Sequence, residues 1–151
     1  MGEKRYTTKQ MGDAGEMLVA AELTLAGIPA MRVPDSWPGY DVIAQPPPPS
    51  RPQRISVKAR TFAKSGNFVG YAVTDVFEWL AIVILSGPGD DRRRIFLVPR
   101  EVADKRSHLA RFRKGRGFFV HKLIKRPEEE PEGLADYENN FCLEGMALGH
   151  R

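Results

Sequence analysis

The chain has 151 residues, a length that suits one domain with a single buried core. Its composition, 42% apolar and 28% charged, is typical of a globular protein, and no apolar run approaches the roughly 18 residues of a membrane span. The only cysteine, Cys142, excludes intrachain disulfides and zinc clusters, and the polar first residues lack a signal peptide, so we expect a cytoplasmic protein. We expect one domain over residues 1–151, with its core at about 8–126 and a tail at 127–151.

The net charge of +4 is unevenly distributed along the chain. Residues 92–126 contain 13 Lys and Arg against two acids, a density that suits a phosphate-binding surface or a solvated helix face. The acidic run at 128–132 is expected to be an exposed linker.

The first predicted element is a helix over residues 9–26, where apolar residues recur at helical spacing and Gly27 follows. Within its last 13 residues only Glu16 and Glu22 are charged. Because an unpaired buried charge is costly, Glu16 should have a partner, either a cation such as Lys58 or Arg60 or a bound metal.

Short apolar or alternating segments bounded by turn residues follow, and they predict a run of strands. These strands are residues 30–33, 40–45, 54–60, 67–73, 79–85 and 94–98. A basic helix at 100–114 and a strand at 118–123 complete the prediction. This order indicates an α/β fold in which helices flank a mixed central β-sheet.

Two of these strands present residues suited to phosphodiester chemistry. Asp41 begins one strand and Lys58 lies 17 residues later, across a proline-rich loop, so a hairpin would place them on neighbouring strands. Ser56 and Lys58 share a face by period-two alternation. Two carboxylates, from Glu16 and Asp41, would suit Mg²⁺ (or Mn²⁺), which prefers oxygen ligands, and Lys58 could orient the attacking water. Taken singly, such an Asp is more often a turn residue, and such a Lys usually reaches solvent.

Three blocks resemble the PD-(D/E)xK nuclease superfamily, in particular its small branch of Holliday-junction-resolvase-like and related endonuclease-like proteins. The blocks are residues 12–27, 40–44 and 55–60. The resemblance implies a restriction-endonuclease-like core, DNA as the substrate, and a divalent-metal site. Glu16, Asp41 and Lys58 would be its catalytic residues, and Glu16, Asp41 and the Val57 carbonyl its metal ligands.

Ser56 departs from that family pattern, since it stands where such enzymes usually carry Glu or Gln. A hydroxyl is a neutral and much weaker metal ligand than a carboxylate, so Ser56 is a site position that leaves two anions for the metal.

Several basic residues are candidates for nucleic-acid contacts. Arg54 and Arg60 flank the site strand, and a later segment interleaves basic and aromatic residues in a way that suits a nucleic-acid backbone. The basic members of that segment are Arg111, Arg113, Lys114 and Arg116.

Three functions are therefore open. The first is a Mg²⁺-dependent DNA endonuclease, acting on linear or branched DNA, and as a homodimer if it cuts two strands symmetrically. The second is a catalytically inactive nucleic-acid-binding module of the same fold, which Ser56 favours. The third is a protein-interaction domain that uses the acidic tail or the surface around Trp79.

Overall fold

The computed structural model describes residues 6–62, 67–86, 91–109 and 115–145. Its helices are α1 (Thr8–Leu25), α2 (Arg100–Arg106) and α3 (Val120–Leu123), followed by a 3₁₀ turn at Ala135–Tyr137. Its strands are β1 (Ala30–Arg32), β2 (Val42–Ala44), β3 (Gln53–Thr61), β4 (Phe68–Ala72), β5 (Trp79–Leu85), β6 (Arg93–Pro99), β7 (His108–Leu109) and β8 (Gly115–Phe119).

The central sheet has five strands in the order β1-β2-β3-β5-β6. Strands β3 and β5 run parallel, whereas every other neighbouring pair in this sheet is antiparallel. The mixed central sheet predicted from the sequence is therefore confirmed, as is the hairpin that joins β2 to β3.

Strand β5 shows why the core has two halves. All seven of its residues are buried, as expected of a strand that is apolar throughout and covered on both faces. Its residues alternate between two apolar clusters, with Ala81 and Val83 in the cluster beneath α1 and Leu80 and Ile82 in the cluster on the opposite face. We call these the helix face and the far face of the sheet.

Helix α1 begins with a capping box, in which Thr7 and Gln10 satisfy each other's backbone N–H groups. It lies directly on β3, because Gly15 has no side chain to hold the two elements apart. A Cβ at Gly15 would lie 3.0 Å from the Ala59 Cβ.

Among the described residues no helix is both long and apolar enough to span a bilayer.

The far face is covered by a second sheet, in the order β4-β8-β7, together with α2 and α3. The predicted helix at 100–114 is wrong beyond Arg106, since residues 108–109 form β7, and residues 110–114 lie outside the described part. The strand predicted at 118–123 is wrong beyond residue 119, where α3 begins. Both errors arise because β8 pairs with distant strands, which local periodicity does not reveal.

The C-terminal segment contributes to both halves of the core. Leu134 is fully buried on the far face, and Leu143 is 2% exposed on the helix face. The acidic run is only partly the exposed linker that we predicted, because Glu132 contacts His108 Nδ1 at 2.9 Å and its side chain is 14% exposed.

Candidate functional site

Asp41 lies where β2 parts from β3. Its backbone N–H donates to the Ile55 carbonyl (2.9 Å), and its own Oδ2 accepts the N–H of Val57 (2.8 Å) in place of a continued strand pairing. The N–H and C=O of one strand residue point to the same side, so the Val57 carbonyl also faces this gap. We call this gap beside β3, bounded by Asp41 and Val57, the notch.

Glu16 approaches the notch from helix α1. Its side chain is only 16% exposed, because the residue before it, Gly15, brings the helix down onto β3. Burial is the main factor that raises the pKa of the Glu16 carboxyl, and the negative charge of Asp41 raises it further. Asp41 is therefore among the charged groups near Glu16. That the two carboxylates bind one metal ion stays a prediction.

The cation beside Glu16 is Arg32 of β1, not Lys58 or Arg60 as the sequence suggested. Arg32 Nε donates to Glu16 Oε1 at 3.0 Å, and Arg32 Nη2 donates to Asp13 Oδ1 at 3.0 Å. This contact lowers the pKa of Glu16, although not enough to offset burial, and it raises the pKa of Arg32. The partner was missed because it depends on how β1 is placed against α1.

Two further carboxylates stand near Glu16. Asp13, Glu16 and Asp35 each offer an oxygen, and these oxygens lie within 4.8 Å of one another. Lys9 contacts Asp13 at 3.2 Å and Asp35 at 3.3 Å, so cations already offset the charge on this side. The sequence did carry a signal for Asp13, which lies three residues before Glu16 and so on the same helix face.

Ser56 and Lys58 belong to the far face of β3. The residues between and around them, Ile55, Val57 and Ala59, pack in the helix-face cluster, so alternation turns Ser56 and Lys58 the other way. Ser56 is 2% exposed. Lys58 is half-buried, and its ammonium makes no hydrogen bond or ion pair with any described residue.

The sheet therefore separates the three predicted catalytic residues into two groups. Glu16 comes from the helix face and Lys58 from the far face, while Asp41 lies at the notch, where β2 no longer closes the side of β3. The assignment of Glu16 and Asp41 to one site stays a prediction, supported by the negative charge of Asp41, which helps to raise the pKa of Glu16. The participation of Lys58 in the same site stays a prediction.

The basic residues that flank the site strand are engaged within the fold. Arg54 forms a two-pronged ion pair with Glu78, which includes Nε to Oε2 at 3.0 Å and raises the pKa of Arg54. Arg60 donates to the carbonyls of Phe68 (3.1 Å) and Ala59 (2.8 Å), and burial lowers its pKa. Phosphate contacts by Arg54 and Arg60 stay predictions.

The later basic segment is only partly described. Arg116 donates to the hydroxyl of Ser107 (2.9 Å) and to its carbonyl (2.8 Å), which fixes β8 to the end of α2. The other predicted contacts, Arg111, Arg113 and Lys114, lie outside the described residues.

The donors at the notch fit a hard divalent cation such as Mg²⁺ or Mn²⁺. Two carboxylates and a main-chain carbonyl are the oxygen ligands that such ions prefer. Within the described residues Asp41 has no cationic partner, and its negative charge helps to raise the pKa of Glu16, so a divalent cation near both would be favourable. The Asp13 and Asp35 carboxylates also lie near Glu16, and each contacts Lys9, whereas Asp41 contacts no cation among the described residues.

Two solved structures illustrate what this chain is similar to. The bacterial homing endonuclease I-Ssp6803I matches with a TM-score of 0.62 over 97% of this chain and 100% of its own, at 14% identity. Hjc, a Holliday junction resolvase from Archaeoglobus fulgidus, matches with a TM-score of 0.44 over 69% of this chain and 87% of its own, at 20% identity. No protein-family model and no curated protein matches the sequence. The fold is therefore restriction-endonuclease-like, as predicted.

Proposed function

We propose that this protein is a divalent-metal-dependent DNA endonuclease that hydrolyses phosphodiester bonds, with branched DNA among its substrates. The observation that carries the proposal is the Asp41 carboxylate held at the notch by the Val57 N–H (2.8 Å), in a fold shared with a homing endonuclease. On this proposal the chain is one nuclease-like domain that works in the cytoplasm, as a homodimer where both strands are cut.

The chemistry assigns a role to each residue. Phosphodiester hydrolysis needs positive charge to offset the charge that builds on the phosphoryl oxygens, and a water aligned with the leaving group. Glu16, Asp41 and the Val57 carbonyl would hold Mg²⁺ or Mn²⁺, which would supply that positive charge. Lys58, whose ammonium has no partner among the described residues, would orient the water or neutralise developing charge.

The contact between Arg32 and Glu16 bears on how a metal would bind. A half-buried carboxylate needs a cation nearby, and Arg32 supplies one to Glu16 at 3.0 Å. Since Arg32 and a divalent cation would neutralise the same carboxylate, binding of the cation should weaken the Arg32 contact. Arg32 would then be available to a DNA phosphate.

A second function, nucleic-acid binding without catalysis, is favoured by Ser56. This residue is 2% exposed and neutral at the position where the related nucleases usually carry Glu or Gln. The later basic segment, which contains Arg111, Arg113, Lys114 and Arg116, is compatible with either function, and so are Glu16 and Asp41.

Cleavage assays distinguish the two functions. The wild type is incubated with linear, supercoiled and four-way-junction DNA in Mg²⁺, Mn²⁺ or EDTA, beside Asp41→Asn and a matched control, Asp35→Asn. Asp35 is a nearby carboxylate that is 70% exposed and held only by Lys9 among the described residues. We expect metal-dependent cleavage that Asp41→Asn abolishes and Asp35→Asn preserves.

Salt-sensitive DNA binding without cleavage in either metal would instead establish the binding module. In that case Ser56→Glu is the next variant, because restored cutting would trace the defect to the missing carboxylate. Light scattering of the protein with and without DNA tests the homodimer.

A further inference from the structure

A cleft of about 420 Å³ opens beside the candidate site. It lies between the turn at residues 37–40 and the loop at residues 74–76, and Arg54 of β3 forms part of its wall. Its volume falls within the roughly 300–1,000 Å³ of pockets that hold small organic groups.

The walls of this cleft are held in place by specific contacts. Gly39 adopts a φ of +86°, and a Cβ there would lie 3.2 Å from the Val76 backbone nitrogen, so the turn and the loop touch. Arg100 donates to the carbonyls of Asp75 (2.6 Å) and Val73 (3.1 Å) and stacks over the Phe77 ring at 4.2 Å. The cleft is thus a built feature of the fold.

The lining of the cleft is aromatic and accessible. The Trp37 ring is 46% exposed and meets the edge of Tyr40, with centroids 5.9 Å apart and an interplanar angle of 71°. The indole N–H of Trp37 makes no hydrogen bond within the described residues. Trp79, the other tryptophan, is 1% exposed and donates to Gln53 at 2.8 Å. Trp37 therefore differs from Trp79 in having a free edge and free ring surface.

The cleft also adjoins the notch in two places, at residues 40–41 and along β3. Tyr40 directly precedes Asp41, whose carboxylate is at the notch. Arg54 lies two residues before Ser56 on β3, so alternation places it on the same face as Ser56 and Lys58. A group held in the cleft would therefore lie next to a phosphate at the notch.

We propose that this cleft binds an unstacked nucleobase of the DNA, by stacking on Trp37 beside Tyr40, next to the phosphate that is cut. This inference rests on the proposed function and specifies its substrate as DNA with an unpaired or displaced base near the cleavage point. Stacking on an exposed aromatic ring tolerates any base, since every base has a π-face. Arg54, held by its ion pair with Glu78, forms the polar wall of the cleft.

The test measures binding in EDTA, so that no cleavage is needed. Three short duplexes are compared by fluorescence anisotropy: one with a single unpaired adenine, one with an abasic site in its place, and one fully paired. We expect the wild type to bind the unpaired-base duplex about 5- to 100-fold more tightly than the abasic duplex, and its exposed Trp37 fluorescence to be quenched. Trp37→Ala should remove both effects, and Trp37→Phe should keep most of the preference.

Phe62→Ala is the matched control, because Phe62 is also exposed (41%) but follows the opposite end of β3. It should bind the three duplexes with the wild-type preference. Equal affinity of the wild type for all three duplexes, or a preference that survives in Trp37→Ala, overturns the inference and leaves the nuclease proposal standing. A preference without metal-dependent cleavage supports the cleft and refutes the enzyme. Failure to bind any duplex overturns the inference, and the cleavage assay in Mg²⁺ or Mn²⁺ decides the nuclease proposal separately.

Discussion

Gly15 is the position where a single added methyl group tests how α1 is placed on the sheet. A Cβ at this residue would lie 3.0 Å from the Ala59 Cβ, 3.7 Å from Val57 Cγ1 and 3.8 Å from Val83 Cβ. Carbon atoms pack best at about 3.5–4.0 Å, so Gly15→Ala forces α1 and β3 apart by several tenths of an ångström. Gly12, about one turn earlier on the same helix, provides the control, because a Cβ added there would meet no described atom within 4 Å.

The expected magnitudes follow from two opposing effects. Replacing a helical glycine by alanine stabilises a helix by about 1 kcal/mol, and Gly12→Ala should gain that amount. Overpacking a core typically costs about 1–3 kcal/mol, so Gly15→Ala should lose about 1 kcal/mol net. The two variants then differ by about 2 kcal/mol in the free energy of unfolding, or about 4–8 °C in Tm for a chain of this size.

Thermal unfolding by circular dichroism and urea titration measure this difference, and cleavage assays add a second readout. Because Glu16 follows Gly15, displacement of the helix should also lower the cleavage rate of Gly15→Ala, whereas Gly12→Ala should cut as the wild type does. If Gly15→Ala is as stable as Gly12→Ala, the close contact between α1 and β3 does not exist in solution, and the argument for placing Glu16 at the notch fails.

Three further predictions concern the site itself. At about 10 mM Mg²⁺ and a Kd of about 1 mM, the metal should stabilise the wild type by about 1.4 kcal/mol, or about 3–6 °C, and this shift should vanish in Asp41→Asn by calorimetry. Because the pKa of Glu16 is raised, Glu16 takes up a proton at a higher pH than a free carboxyl does, and this stabilisation by Mg²⁺ should shrink as the pH falls towards that pKa. A stabilisation independent of pH would argue against Glu16 as a ligand. Arg32→Ala should lower the free energy of unfolding by about 1–2 kcal/mol near neutral pH, because it leaves Glu16 unpaired. This loss of stability should diminish in acid, where a protonated Glu16 needs no cation. A loss that urea titrations find to be independent of pH would contradict this. Ser56→Glu should lower the free energy of unfolding by at least about 2 kcal/mol in EDTA, because it buries a charge. It should also tighten Mn²⁺ binding, measured by calorimetry. An unchanged affinity for Mn²⁺ would place residue 56 away from the metal.

The sequence was most informative where the physical reason was local. The continuous apolar run at 79–85 predicted a covered strand, and a turn followed by a proline-rich loop placed Asp41 at the start of the strand beside β3. The isolated charge of Glu16 on an apolar helix correctly indicated a nearby partner. These conclusions needed only periodicity and the cost of an unpaired charge.

Features that depend on distant chain segments were not predictable in this way. Gly117 illustrates the difference, since a Cβ there would lie 2.2 Å from the Val69 carbonyl oxygen. A glycine in a strand suggests that another part of the backbone approaches closely. It does not identify β4 as the strand that approaches. The identity of Arg32 as the partner of Glu16, and the division of Lys58 and Glu16 between two faces, likewise follow from tertiary packing.

The C-terminal segment has a consequence for solubility. It runs along β6, the last strand of the central sheet, where Phe96 forms a β-bridge with Glu138. The Asn139 N–H donates to the Ile95 carbonyl (2.8 Å), and Asn140 Nδ2 donates to the Leu97 carbonyl (3.1 Å). An uncovered strand at that position would be a template for pairing with other chains. This segment therefore shields the apolar border of the sheet from aggregation, and a chain shortened before residue 138 should form intermolecular β-structure as it folds.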